Sequence, residues 1–364
     1  MQNSECRVQN EGISFGNEFK FIREADTTIL HFALCILHLS FAPTGILLHM
    51  LFRGDNLAIV RTDIPMTSQL NEETILKLVE TYPFLRTELL TTPAFGRPVR
   101  SVVIGNGERK VLYSGSHHAN EWITTPLLLK FVEELAEAVQ SGGRLFGVNA
   151  QNIVNAATIY VVPMVDPDGV DLVTGAIQPG TLEYETANRI ADNFPNIPFP
   201  DGWKANLLGV DLNLQYPAGW LQAREIKFSQ GYNKPAPRDY VGRAPLNQRE
   251  SIALADYTEA INPILVLAYH TQGKVIYWQF RDYQVPGARV LGEEFARLSG
   301  YSLEDTPYES SFAGYKDWFI QQWRRPGYTI EVGAGENPLP LEQFDEIYRD
   351  NLGILVTAAL GLPQ

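Results

Sequence analysis

From about residue 58 to the C-terminus, short apolar runs alternate with segments whose apolar positions recur at helical spacing. That alternation predicts an α/β fold, a mixed but mostly parallel twisted sheet sandwiched between helices. The stretch KVLYSGSHHANEWITTPLLLKFVEELAEAVQ reads as a strand, a polar turn and then a helix, its apolar stripe carried by Leu127, Leu128, Phe131, Val132, Leu135 and Val139. ATIYVVPMV, ILVLAYH and GYTIEV are further strands, and each delivers polar residues at or near its end: Asp166-Pro-Asp-Gly, His270 and Glu331. In open α/β sheets ligands bind at the carboxyl ends of strands, so these turns are expected to converge on one crevice.

The first 57 residues have a different texture and form a separate N-terminal segment ahead of a single 58–364 catalytic domain. Residues 28–52, TILHFALCILHLSFAPTGILLHMLF, are apolar and long enough to raise a membrane span, the one route by which this chain would touch a membrane. Three histidines and a Pro-x-Gly break weaken that reading. As a signal peptide the run sits late, behind a mixed-charge stretch, and no small-residue cleavage site follows. The alternatives are a poorly ordered segment or one foreign to the natural protein, with Met66 a suitable start, and the compartment stays open between cell wall and cytoplasm.

Composition narrows the chemistry. Of 364 residues, 45% are hydrophobic and 20% charged, an ordinary globular balance, and the net charge of -13 argues against a binder of nucleic-acid backbones. Cys6 and Cys35 are the only cysteines, so metal chemistry beyond residue 35 must use His, Asp and Glu. Past residue 50 the histidines are His117, His118 and His270.

His118 and Glu121 stand three apart in a turn opening a helix, where an imidazole and a carboxylate reach one cation; zinc accepts that pair. Alone, the pattern is weak, since a glutamate at a helix start also complements the dipole. Catalytic zinc requires a third protein ligand, and His270 at a strand end supplies it; its other reading is a buried core histidine. His117 lacks the spacing to Glu121 and reads as a residue supporting the ligands from behind or as a pocket residue. Glu331 lies in an apolar strand, where burial raises a carboxyl pKa and suits it to accept a proton from an attacking water; a salt bridge to Arg324 or Arg325 is the alternative. A serine hydrolase built on Ser114 or Ser116 lacks the G-x-S-x-G turn.

GSHHANEWIT, WKANLLGVDLN, LAYHTQG and GYTIEVGAGENPLP, in this order, resemble the landmarks of the M14 zinc carboxypeptidases. They are most similar to the bacterial branch that cleaves γ-D-glutamyl-diamino-acid bonds in peptidoglycan peptides. The resemblance implies one Zn2+ held by His118, Glu121 and His270, with Glu331 as catalytic base, and a peptide substrate derived from the wall, a muropeptide. It places Lys204 where a cation polarises the scissile carbonyl, and Asn213 where an amide holds a substrate carboxylate. Two departures matter: Leu214 stands where carboxypeptidases clamp the terminal carboxylate with arginine, and Asn120 where arginine is common. Lys316 matches the floor of the specificity pocket, and Tyr308 matches the relatives' catalytic tyrosine only with a one-residue gap. A metallocarboxypeptidase or amidohydrolase acting on another peptide or acyl-amino acid is the alternative, and a non-catalytic wall-peptide binder a remoter one, disfavoured because a binder has no use for Glu331.

Overall fold

The computed structural model describes residues 58–362, so the N-terminal segment, its apolar run 28–52 and both cysteines lie outside the described residues. Helix α1 (Ser68–Thr81) is capped by Thr67, whose hydroxyl accepts from the Leu70 N–H. Strands β1 (Arg86–Thr91), β2 (Val99–Ile104) and β3 (Arg109–Ser114) lead into α2 (Thr124–Ser141), which stops at Gly142 in the left-handed region. A ribbon of β4 (Arg144–Leu145) and β5 (Val148–Asn149) precedes α3 (Ala150–Ala156) and β6 (Ala157–Val162). The Asp166-Pro-Asp-Gly turn starts α4 (Pro167–Val173): Asp166 accepts from the Gly169 N–H and proline occupies the first turn. Then come α5 (Leu182–Ala191), α6 (Trp220–Ser229), α7 (Arg249–Ile261), β7 (Leu265–Thr271), β8 (Val275–Tyr277), α8 (Ala288–Ser299), β9 (Ser302–Glu304), α9 (Tyr315–Trp323), β10 (Gly327–Val332) and α10 (Phe344–Leu360).

Eight strands form one sheet in the order β1-β2-β6-β3-β7-β10-β8-β9. The four central strands, β6, β3, β7 and β10, run parallel, as expected from their apolar sequences, and antiparallel pairings join β2 and β8 to this block. Among the described residues no helix is long and apolar enough to cross a membrane.

Period-two alternation divides the strands between two cores. Leu265, Leu267 and Tyr269 of β7, with Tyr328, Ile330 and Val332 of β10, pack into the core that holds α2, α8 and α10. Val266 and Ala268 face the other core, built with α7 and α9. His270 and Glu331 have this second parity, and the parallel register sets them directly side by side. Two residues on neighbouring strands, on one face and at the carboxyl edge, are thereby fixed about 5 Å apart in backbone position.

The turn joining β2 to β3 lies at the opposite end of the sheet. The Asn106 N–H donates to the Val154 carbonyl at 3.0 Å and the Thr158 hydroxyl to the Gly107 carbonyl at 2.7 Å. A Cβ on Gly107 would run into the backbone joining Ala156 to Ala157. Gly107→Ala is expected to lower stability by about 1–3 kcal/mol through overpacking. Urea denaturation measures it, with metal content as the control that the distant site is intact.

Candidate metal centre and substrate cavity

The chain leaves β3 through Gly115 and Ser116. The Ser116 N–H donates to the Thr124 hydroxyl at 2.8 Å, and the Gly115 N–H to the Val162 carbonyl at 3.0 Å, which ties this turn to α2 and β6. His118 is extended, and a single 3-10 turn, Ala119–Glu121, brings Glu121 back beneath it. His118 Nδ1 then lies 2.9 Å from Glu121 Oε1, and His270 Nδ1 lies 2.9 Å from Glu121 Oε2 and 3.2 Å from His118 Nδ1. All three residues are buried, and their ligand atoms fall within 4.8 Å of one another.

The donor set fits zinc. His118 Nε2–H donates to Asp211 Oδ1 at 3.1 Å, which leaves Nδ1 as the lone-pair side facing Glu121. The field also favours a cation: burial works against charge on His118, but Glu121 and Asp211 outweigh it and hold the imidazole pKa up at about 9. Burial pushes Glu121 up, yet the charges of His118 and Lys204 bring it well below the ordinary carboxylate range. Two imidazoles and one carboxylate are the ligand pattern of catalytic zinc, with a position left for water or substrate.

Around this group the structure brings together most of the residues the sequence singled out. Glu331 stands beside His270 at the end of β10, partly exposed to the cavity. Its pKa rises to about 8, first through burial and then through the Glu121 charge. The salt-bridge alternative falls away, because Arg324 stacks on Tyr283 and Arg325 donates to Asn262 and Pro263. Lys204 Nζ sits 2.9 Å from Glu121 Oε1 and is mostly buried, not a solvated surface lysine. Asn213 accepts from the Tyr315 N–H through Oδ1, and its Nδ2 is 3.4 Å from His270 Nε2. Asn120 is buried with Nδ2–H donating to the Asp201 carbonyl.

The cavity next to His118 and His270 has a volume of about 230 Å³. Leu214 and Lys316 line it. Lys316 is 4% exposed, its Nζ–H donating to the Gln279 carbonyl at 2.6 Å, with Asp317 Oδ1 also at 2.6 Å in a charge contact that lacks hydrogen-bond geometry. Lys316 is therefore a buried residue of the cavity wall.

One expectation needs correction. Tyr308 is 70% exposed on a 3-10 turn, packed on Phe312, and lines a neighbouring cavity with Arg281 rather than the one beside the metal group. Of the two readings of His117, the structure supports the one behind the ligands: it is fully buried, stacked at 5.5 Å on His270 and tilted against Tyr315. Four further residues escaped notice in the sequence. Asp211 holds His118; Asp239 donates its N–H to Asp211 Oδ2 at 3.2 Å and receives Lys227 at 2.6 Å and Arg238 at 2.8 Å, and both of these cations line the cavity. Asp211 lies inside GVDLN, but an aspartate two residues before a turn amide reads as a cap, and it does cap the Asn213 N–H.

A family model described as zinc carboxypeptidase matches residues 72–353. The chain is 45% identical over 282 residues to gamma-D-glutamyl-L-diamino acid endopeptidase 1 of Lysinibacillus sphaericus, an alignment covering 78% of this chain and 69% of that protein. It is 36% identical over 286 residues to an uncharacterised protein of Bacillus subtilis, covering 78% and 74%. Among solved structures, carboxypeptidase A from Helicoverpa armigera superposes with a TM-score of 0.64 over 84% of this chain and 76% of that one at 16% identity, a likeness of fold.

Purified protein is expected to bind one zinc per chain, and His270→Ala to bind none under equal dialysis. Asp211→Asn removes the charge that orients His118 and is expected to weaken zinc about 10–100-fold. Competition with a chromogenic chelator reads the difference; unchanged affinity would show that Asp211 does not support the ligand.

Proposed function

The chain belongs to the zinc carboxypeptidase family, and on that premise we propose that it hydrolyses the amide bond between a γ-D-glutamyl residue and a diamino acid, such as diaminopimelate, in peptides derived from peptidoglycan. The observation that carries the chemistry is the pairing in register of Glu331 with His270 at the edge of the metal group. The 45% identity to the Lysinibacillus endopeptidase supports the substrate. Leu214 weighs against a general C-terminal exopeptidase, because an apolar side chain cannot make the charge-assisted fork that holds a terminal carboxylate.

When held by His118, Glu121 and His270, zinc supplies a Lewis acid for the scissile carbonyl and acidifies water. Glu331 accepts the proton of the attacking water as the new C–O bond forms. It then returns the proton to the leaving amine as the C–N bond breaks, so the carboxylate is regenerated. Lys204 is ion-paired with Glu121 and carries three N–H donors at the cavity, suited to meet negative charge growing on the carbonyl oxygen. Asn213, Leu214 and the Lys316–Asp317 pair shape the space for the diamino acid, where the fixed charges of Lys316 and Asp317 suit a group bearing both carboxylate and ammonium.

Glu331→Gln is expected to retain zinc and peptide binding and to lose at least about a hundredfold in kcat, the scale of a lost general base. Mass spectrometry of a defined muropeptide digest reads it; full turnover in this variant would refute the mechanism. The base must be ionised, so kcat/KM rises with pH through the Glu331 pKa. Burial and Glu121 set that pKa near 8 and a bound cation lowers it, which places the ascending limb between 4.5 and about 8. A rate independent of pH across this window would remove Glu331 from the role.

A further inference from the structure

The family's arginine is replaced by Leu214 and the common arginine between the first two ligands by Asn120, yet the structure carries a guanidinium to the same crevice from a segment with no motif. Arg238 lines the cavity beside His118 and also a neighbouring cavity that Asn120 lines and that shares Lys204, Tyr277 and Glu331 with the first. Its backbone is held on both flanks by the site itself. The Lys204 and Ala205 N–H groups donate to the Pro237 carbonyl at 2.8 and 2.9 Å, and the Asp239 N–H donates to Asp211 Oδ2 at 3.2 Å.

The side chain is held too. Arg238 Nε–H donates to Asp239 Oδ2 at 2.8 Å, while Lys227 occupies Oδ1 of the same carboxylate at 2.6 Å. Two cations share one anion, which leaves one positive charge uncompensated within this trio. With Nε committed to Asp239, the terminal amino groups make no hydrogen bond among the described residues, on a side chain that is 42% accessible. They form the half of the guanidinium that matches a carboxylate in two parallel bonds. The other cations are committed elsewhere: Lys204 to Glu121 and Lys316 to Asp317.

A γ-linkage has one chemical feature that an ordinary peptide bond lacks. The acyl group is the glutamate side chain, so its α-carboxylate stays free, three carbons from the scissile carbonyl and on the acyl side. We propose that Arg238 is the specificity-determining residue that binds this α-carboxylate. The inference rests on the function proposed above and deepens it: the cation absent at position 214 gripped the leaving side in exopeptidases, and the cation present at Arg238 grips the acyl side.

The test compares two peptides that differ only at that group, γ-D-glutamyl-diaminopimelate as the free acid and as the α-carboxamide, on zinc-loaded wild type, Arg238→Gln and Arg238→Lys. Wild type is expected to prefer the free acid about 10–100-fold in kcat/KM, the range of one charge-assisted contact. Arg238→Gln is expected to cleave both within about twofold of each other, and Arg238→Lys, which keeps charge without the fork, to show an intermediate ratio. Binding of both peptides to the Glu331→Gln protein, with and without Arg238→Gln, gives the same ratio independently of turnover. Discrimination that survives in Arg238→Gln, or that wild type never shows in binding, overturns the assignment. Tight, Arg238-dependent binding of the free acid without cleavage keeps the assignment and refutes the proposed hydrolysis.

Discussion

Three electron-rich groups buried within 4.8 Å of one another repel unless positive charge stands among them, and the architecture follows from that constraint. His118 Nδ1, His270 Nδ1 and the Glu121 carboxylate come from a turn, a strand and a 3-10 helix, elements that would separate if local preference alone decided. They are held by groups one step further out. Asp211 fixes the far nitrogen of His118, the Thr271 N–H donates to Glu121 Oε2 at 3.2 Å, and Lys204 faces Oε1. Each such contact leaves a lone pair aimed inward. A buried polar group is costly without a partner, so the same interactions that assemble the ligands make the protein depend on what they bind.

The charges outside this centre are arranged by the same economy. Asp239, Asp317 and Asp211 each hold a cation or an imidazole in place, so the cavity is lined by charges whose geometry is set before substrate arrives. Among the carboxylates that line the cavity, Asp211, Asp239 and Asp317 each have a cation or imidazole partner, whereas Glu331 stands at the strand end with its pKa raised. An unpaired carboxylate among paired ones marks where the proton moves.

Much of this was legible in the sequence. The scarcity of histidine past residue 50 singled out His118 and His270, and an acid inside the apolar run GYTIEV singled out Glu331. The parallel block could be read from apolar strands alternating with amphipathic helices, because burial on both faces removes the polar alternation. Lys204 and Asn213 emerged only through resemblance to a family, since a lysine and an asparagine in turns have many ordinary uses. Asp211, Lys227, Arg238 and Asp239 were not singled out: their meaning is a mutual arrangement of segments far apart in the chain, and no local spacing records it. Tyr308 failed for a related reason, since one residue of offset in a loop moves a side chain into a different cavity.

The side-by-side register of His270 and Glu331 has a consequence for how such a protein can change over time. Both residues sit on interior strands with a packed core on each side, so the distance from base to metal ligand is tied to the integrity of the whole domain. The segment bearing Arg238 is joined to that edge by a few hydrogen bonds. The spacing that the chemistry needs is therefore inherited with the fold, whereas a contact such as that of Arg238 can be exchanged on its own. A lineage built on this sheet can wander across peptide bonds of different kinds while its way of breaking them stands still.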